Sequence, residues 1–276
     1  MATGVILALC SACVWGSGDF CGGRAASRID PFQVLALSAT SGIVMLVCLV
    51  LATGEHFRVD GSLAWAAIAG LCTAVGIVSL YRGLSIGSAA TVAPMAAVTA
   101  ALLPVVYGAI AAGLPRPTQL AGFALALIGI FMVARAAPQS VASRAGMRLG
   151  VIAGLGFGSF MVLIARAGHD QVFVPLAVAR TVMLAGAVVL LVARGTPVPS
   201  LSASPIAFVA GVLDAGGTAL YLLAQHYVRL DVAAVLSSLY PAATVLLSRL
   251  IIAEPVTRTQ WVGALVCVGA VALIAA

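Results

Sequence analysis

Long apolar runs alternate along this chain with short polar interruptions, and the runs are continuous instead of switching sides at every second residue. That pattern predicts membrane-length helices, because roughly 20 apolar residues cross the hydrocarbon of a bilayer, and it excludes a transmembrane barrel. The expected helices cover about 4–20, 31–51, 63–81, 88–111, 118–134, 147–165, 174–193, 205–226, 231–252 and 259–276. Asp30 before Pro31, and Ser204 before Pro205, each place a capping side chain ahead of a proline at the first helical position. Asp231 is read as the cap of the ninth helix and Glu254 as the cap or brace of the turn after it. Residues 15–28, rich in glycine, are expected to end the first helix. The connections are short, so consecutive helices are antiparallel neighbours.

The longest polar link, residues 135–148, separates two sets of five helices, expected as repeats over 1–138 and 139–276. Because five is odd, the second set enters the membrane from the opposite side. A shift of 141 residues lays 90–133 over 231–274, bringing Thr118 and Gln119 onto Thr259 and Gln260, and Gly122 onto Gly263. The expected fold is therefore an all-α integral membrane protein of ten transmembrane helices in two inverted five-helix repeats, an architecture used by carriers.

Composition agrees. Of 276 residues, 63% are hydrophobic and 8% charged, with a mean hydropathy of +1.18, against roughly 25% charged in soluble domains. All 14 basic residues are Arg, and the net charge is +6. Their places at helix ends point to lipid head groups as partners, and not to nucleic acid. The six cysteines lie in or beside apolar runs and read as packing residues, Cys10 and Cys13 included, so no metal or cofactor is expected. The first twenty residues lack a basic leader and read as a helix, not a cleaved signal. Three scattered histidines and the absence of a phosphate loop or an HExxH sequence argue against an enzyme. Gly18 with Gly22, and Gly154 with Gly158, have the spacing that lets helices approach closely.

Few polar residues interrupt the apolar runs, and each needs a reason. A carboxylate at mid-membrane costs roughly 2.5–3.5 kcal/mol on insertion scales, so it must face the bundle interior or water. Asp214 lies well inside helix 8, and Thr218, Tyr221 and Gln225 follow it on one helical face. Ser237, Tyr240, Thr244 and Ser248 form a second stripe on helix 9, where Pro241 cannot donate to the carbonyl of Ser237. Ser11, Trp15 and Asp19 share a face of helix 1, and helix 4 adds Thr91, Met95 and Thr99. These stripes line a solute cavity, or else they are hydrogen-bonded contacts between helices. Asp19, near the expected helix end, fits an interfacial place as well as a functional one. Arg180 is expected to snorkel to the interface, with pairing to Asp214 as the alternative. His56 and His169 read as loop residues, and His226 as a helix-end residue.

Trp15-Gly16-Ser17, Tyr81-Arg82-Gly83, and Leu239-Tyr240-Pro241 followed by Glu254, Gln260 and Gly263 resemble the EamA-type branch of the drug/metabolite transporter superfamily. The resemblance covers essentially the whole chain. It departs at the turn from Gly113 to Pro117, which lacks an acid equivalent to Glu254. The resemblance implies a multi-pass protein of the inner or plasma membrane with both termini in the cytoplasm. The count of loop arginines disagrees: Arg58, Arg116, Arg166 and Arg229 lie on the side of the termini, and Arg24, Arg28, Arg82, Arg135, Arg144, Arg148, Arg194 and Arg258 on the other. The family orientation is adopted here.

The expected function is a secondary transporter that exports small metabolites or amphipathic compounds by alternating access. Asp214, Thr218, Tyr221, Gln225, Ser237, Tyr240, Thr244, Trp15, Ser11 and Thr91 are the candidate contacts to a small-molecule solute. A non-transporting scaffold and a flippase of lipid-linked intermediates are the alternatives. A homo-oligomer is left open.

Overall fold

The computed structural model describes residues 1–57, 60–86, 89–134, 144–168, 171–200, 202–253 and 255–275, with the backbone alone for 85–86 and 89–91. Most of the long link, together with Arg58, Arg135, His169, Glu254 and the Thr91 side chain, lies outside the described residues. The elements are α1 (Ala2–Ala26), α2 (Pro31–Thr53), α3 (Gly61–Ile86), α4 (Ala89–Ala112), α5 (Pro117–Ala134), α6 (Arg144–Ala167), α7 (Phe173–Ala193), α8 (Pro205–Ala224), α9 (Leu230–Ser237), α10 (Tyr240–Ile252) and α11 (Arg258–Ala275). They make ten membrane spans, with α9 and α10 sharing one.

Local chemistry accounts for several helix ends. The Asp30 carboxylate accepts from Phe32 N at 2.8 Å, with Pro31 at the first helical position. Ser204 precedes Pro205 as expected, but its side chain makes no capping bond. Asp231 stands one residue inside α9, not at its N-cap: its carboxylate accepts from Val232 N in the first turn at 2.9 Å and pairs with Arg229 at 2.8 Å. Gln119 accepts from Arg116 N at 3.2 Å and Gln260 from Thr257 N at 3.0 Å, so one side-chain cap recurs at the 141-residue shift.

Two helices depart from their expected form. α1 runs on to Ala26 through the glycine-rich stretch. Its glycines do not end it, because Gly16 and Gly18 lie against the backbones of α10 and α8 and gain packing that offsets their weak helix propensity. The ninth span is interrupted by a tightened turn at Ser238 and Leu239, whose φ of −69° and −75° stay helical. Leu239 N bonds to Leu236 O at 3.3 Å and Ala242 N to Leu239 O at 3.0 Å, both one residue tighter than α-helical spacing. Pro241, without an N–H, sits just past this turn.

The packing displays the two-fold relation of the halves. α3 on α6 mirrors α8 on α1, and α4 on α6 mirrors the α9–α10 span on α1. α2 on α8 mirrors α7 on α3, while α2 with α7, α4 with α9, and α5 with α11 join counterparts. The result is two walls, one of α1, α8, α9 and α10 and the other of α3, α4 and α6, with α2 and α7 between them.

Glycines set the closest approaches. A side chain at Gly211 would strike the Ser38 carbonyl and the Ser41 hydroxyl of α2, and at Gly70 the Ala179 carbonyl of α7. These pairs are related by the same shift of 141. Ser41 adds a hydrogen bond to the Phe208 carbonyl at 2.9 Å. Gly211→Leu is expected to separate α8 from α2, at a cost in the range of about 1–3 kcal/mol or more. Size-exclusion profiles and melting temperatures in detergent check this, with the outward-facing Val212→Leu as the silent control.

Candidate functional site

A cavity of about 310 Å³ lies between the two walls at mid-membrane. From the first wall it takes Trp15, Asp19, Asp214, Thr218, Ser238 and Tyr240, and from the other Thr73, Ile77, Leu80, Tyr81, Phe157, Phe160 and Met161. Leu35, Leu176, Arg180 and Met183 contribute from α2 and α7.

Arg180 organises the polar side. Its side chain is 7% exposed, and its guanidinium forms an ion pair with Asp214, whose side chain is 46% exposed. A second guanidinium nitrogen lies 3.5 Å from the Thr218 hydroxyl. Thr218 donates to the Asp214 carbonyl at 2.9 Å, and Trp15 Nε1 lies 3.1 Å from that carbonyl and 3.2 Å from the Thr218 hydroxyl oxygen. The Trp15 ring meets Tyr240 edge-on at 6.2 Å between centroids. Snorkelling by Arg180 is thus corrected: the guanidinium turns inward because a carboxylate and a hydroxyl on α8 are within reach, and the half-exposed Asp214 carboxylate neutralises the buried guanidinium. Of the two places open to Asp19, the structure gives the inner one. Because α1 continues for two further turns, its carboxylate lies in the cavity and not at the interface.

The expected contacts divide into groups. Trp15, Asp214, Thr218 and Tyr240 line the cavity. Ser11 donates to Gly217 O at 2.7 Å, Tyr221 to Met161 O at 3.0 Å, Ser237 to Ala8 O at 3.3 Å and Thr244 to Gly16 O at 3.1 Å. These four hydroxyls serve helix packing: each donates to a carbonyl of a neighbouring helix, and none of the four residues lines the cavity. Gln225 is also outside the lining, and its Nε2 is buried without a partner among the described residues. The helical stripe on α8 therefore splits at Thr218, with Asp214 and Thr218 on the cavity and Tyr221 bonded to α6. Thr73 and the apolar residues of α3 and α6 were not singled out from sequence, and Tyr81 was named only as part of a segment that carries the family resemblance. The 141-residue shift would have found Thr73 and Ile77 as the counterparts of Asp214 and Thr218.

The cavity is closed toward the face where α1 begins. There Arg229 donates to Gly113 O at 2.7 Å and Ala112 O at 3.2 Å at the end of α4, while it pairs with the fully buried Asp231. The hydrogen bond to Asp231 raises the Arg229 pKa above its ordinary value, so the tie stays charged at physiological pH. On the same face the Glu55 carboxylate accepts from Val172, Phe173 and Val174 N–H groups at 2.9 Å, joining α2 to the start of α7. Among the described residues α4 packs on α9 near this face and has no comparable packing on α10 toward the other. Leu176, toward the closed face, is 1% exposed, whereas Asp19, toward the opposite face, is exposed.

The family model described as the EamA-like transporter family matches residues 2–135 and 144–276. The chain belongs to the EamA-like transporter family. The two matched segments coincide with the two five-helix halves. A solved structure described only as the crystal structure of a protein is similar at a TM-score of 0.78 and 20% identity, covering 99% of this chain and 98% of that one. At that identity the likeness speaks for the fold. Comparison with curated proteins gives no match.

The pair at the centre of this EamA-like protein can be tested by a double-mutant cycle. Arg180→Met and Asp214→Leu singly are each expected to lower the melting temperature. The double variant should lose less than the sum, with a coupling of about 0.5–3 kcal/mol. Strict additivity in detergent melts would remove the pair from its organising role.

Proposed function

We propose that this protein is a secondary carrier that exports small amphipathic metabolites across the cytoplasmic membrane by alternating access. The observation that carries the reading is the cavity between the two halves, charged on one wall and apolar on the other, closed toward one face and reaching outward past Asp19. A packed scaffold has no use for a partly solvated carboxylate at mid-membrane, because an apolar pair of the same volume would hold the helices as well. Trp15, Asp214, Thr218 and Tyr240 contact the solute. Ser11, Tyr221, Ser237 and Thr244 hold the wall behind them in register. The family orientation puts both termini in the cytoplasm, so this conformation faces outward. A reporter at the C-terminus active only in the periplasm would reverse that assignment.

Transport requires the walls to rock about α2 and α7, opening one face as the other closes. The tie from Arg229 to the end of α4 must break in that step, while the split between α9 and α10 lets the half-span next to the tie move with it.

Counterflow in liposomes tests the carrier directly. One unlabelled pool among amino acids, nucleosides, sugars and organic cations is expected to drive accumulation of its labelled members. Silence in every pool with folded, inserted protein would favour a scaffold, and scrambling of lipid-linked substrates would favour a flippase. The gate has its own measurement. In a cysteine-free background, Thr73→Cys, a half-buried position on the cavity wall, is expected to label from the open face and the fully buried Tyr221→Cys to stay protected. Adding Arg229→Ala should raise labelling of position 73 from the closed face by about tenfold, the worth of a lost charged hydrogen bond. No change would mean that Arg229 does not hold the gate.

A further inference from the structure

The cavity holds more negative charge than the protein balances. Asp19, Asp214 and Arg180 are its charged residues. Arg180 is committed to Asp214 and Thr218 and is almost fully buried. Asp19 receives no hydrogen bond or ion pair from any described residue, and it sits one turn beyond Trp15 on α1. The other titratable groups that face it are Asp214 on α8, Tyr240 on α10 and Tyr81 on α3, none of them a cation.

The two-fold relation shows how this imbalance is built. At the shift of 141, Asp214 corresponds to Thr73, Thr218 to Ile77, and Arg180 to Ala39. Gly217 faces the Trp15 ring as Gly76 faces the Phe157 ring, which matches Trp15 to Phe157 and, one turn on, Asp19 to Met161. The carboxylates and the indole N–H thus stand on one wall, and on the other the equivalent places hold hydrocarbon and phenyl groups and a single hydroxyl, that of Thr73. Thr73, the nearest polar counterpart, has its hydroxyl bonded to the Ala69 carbonyl at 3.2 Å.

We propose, resting on the carrier reading, that the solute is a monovalent amphipathic organic cation and that Asp19 is the carboxylate that receives its charged group. The cationic end lies at Asp19, beside the Trp15 and Tyr240 rings, whose faces attract positive charge. The apolar body lies against Ile77, Phe157, Phe160 and Met161. A volume of about 310 Å³ is at the small end for ligand pockets and suits a body of one or two rings. A zwitterion would need a free cation to meet its carboxylate, and Arg180 is already spent. An anion would enter a site of net negative charge. A neutral solute would leave Asp19 unpaired when the walls close and exclude water, which is costly in so apolar a place.

Four probes that share a phenyl ring and differ in charge decide the matter: benzyltrimethylammonium, phenylacetamide, phenylalanine and phenylacetate. Equilibrium binding to the full chain in detergent is expected to favour benzyltrimethylammonium. Asp19→Asn should weaken that binding by about tenfold or more, the scale of a lost partner for a desolvated charge. Asp19→Glu should retain most of the affinity, and Asp30→Asn, at the α2 cap, should leave it unchanged. Equal or tighter binding of another probe, or unaltered cation binding in Asp19→Asn, overturns the proposal. Should Asp19→Asn fail to fold, carbodiimide modification of Asp19 in the unaltered protein gives a second test. Benzyltrimethylammonium is expected to slow the modification and phenylacetamide to leave it unchanged, and absence of protection by the cation overturns the assignment. Counterflow separates the two readings. Exchange of phenylacetamide or phenylalanine without cation binding keeps the carrier and rejects the cation. Cation binding without exchange of any probe keeps the recognition site and rejects the carrier.

Discussion

A guanidinium in the middle of a membrane bundle cannot stand alone, and the arrangement around Arg180 follows from that constraint. Its carbon stem is buried between α2, α7 and α8, and its head has one carboxylate and one hydroxyl within reach, both on α8. Holding Asp214 and Thr218 to Arg180 fixes the rotation of α8. That rotation presents the Asp214 carbonyl and the Thr218 hydroxyl to the Trp15 indole, which in turn fixes α1. Three helices from two halves are thereby keyed to one ion pair. Its carboxylate stays partly solvated because the space beyond it is a cavity and not protein. In hydrocarbon such a pair is weak evidence for stability, since an apolar replacement packs as well. Its presence makes better sense as a way to hold charge at a chosen place.

Two-fold repetition supplies the frame, and departures from it supply the chemistry. Glycines at matching positions, Gly70 with Gly211 and Gly76 with Gly217, let helices of the two halves approach in the same manner. The repeated glutamine caps at Gln119 and Gln260 start α5 and α11 alike. Where the sequence diverges within that frame, the two walls become unlike: Asp214 against Thr73, Trp15 against Phe157, and the tightened turn before Pro241 against the continuous α4. A solute with one polar and one apolar end is the natural complement to such a pair of walls.

The spans were legible because continuous apolar runs of the right length have few other readings, and the halves because a shift of 141 aligns turns as well as runs. The site was legible only in part. Helical periodicity placed Asp214 and Thr218 on one face, and they do line the cavity. The same periodicity also carried Tyr221 and Gln225, and no pattern along a single helix tells which neighbour each turn of a stripe will meet. Tyr221 meets the Met161 carbonyl of α6. Asp19 was obscured by its glycines, which read as a helix end when taken alone and as helix contacts once α8 and α10 are in place. Arg180 was ambiguous for a related reason: a long side chain reaches the interface as easily as a partner until the position of α8 is known. Glu55, which caps α7 from the end of α2, had no local signal, since its partners lie more than a hundred residues away in sequence.

The closed face shows how a symmetric frame can favour one conformation. If the halves were identical, the inward-closed and outward-closed forms would be equal in free energy. Under the repeat Arg229 and Asp231 correspond to Ser88 and Ala90, so the sequence does not repeat this ion pair in the first half. In the proposed alternating-access cycle, an ion pair bonded to two helix-terminal carbonyls would weight one side of the equilibrium. It does so where α9 is short and separated from α10, so the tie can be released by moving a half-span without displacing Tyr240 and its neighbours. In the proposed carrier, solute recognition and gate closure fall on the two sides of this tightened turn. A regular helix through Leu239 would transmit movement at Arg229 to the cavity wall, whereas the tightened turn is the place where the two half-spans can part while the wall keeps its hold on Trp15 and α1.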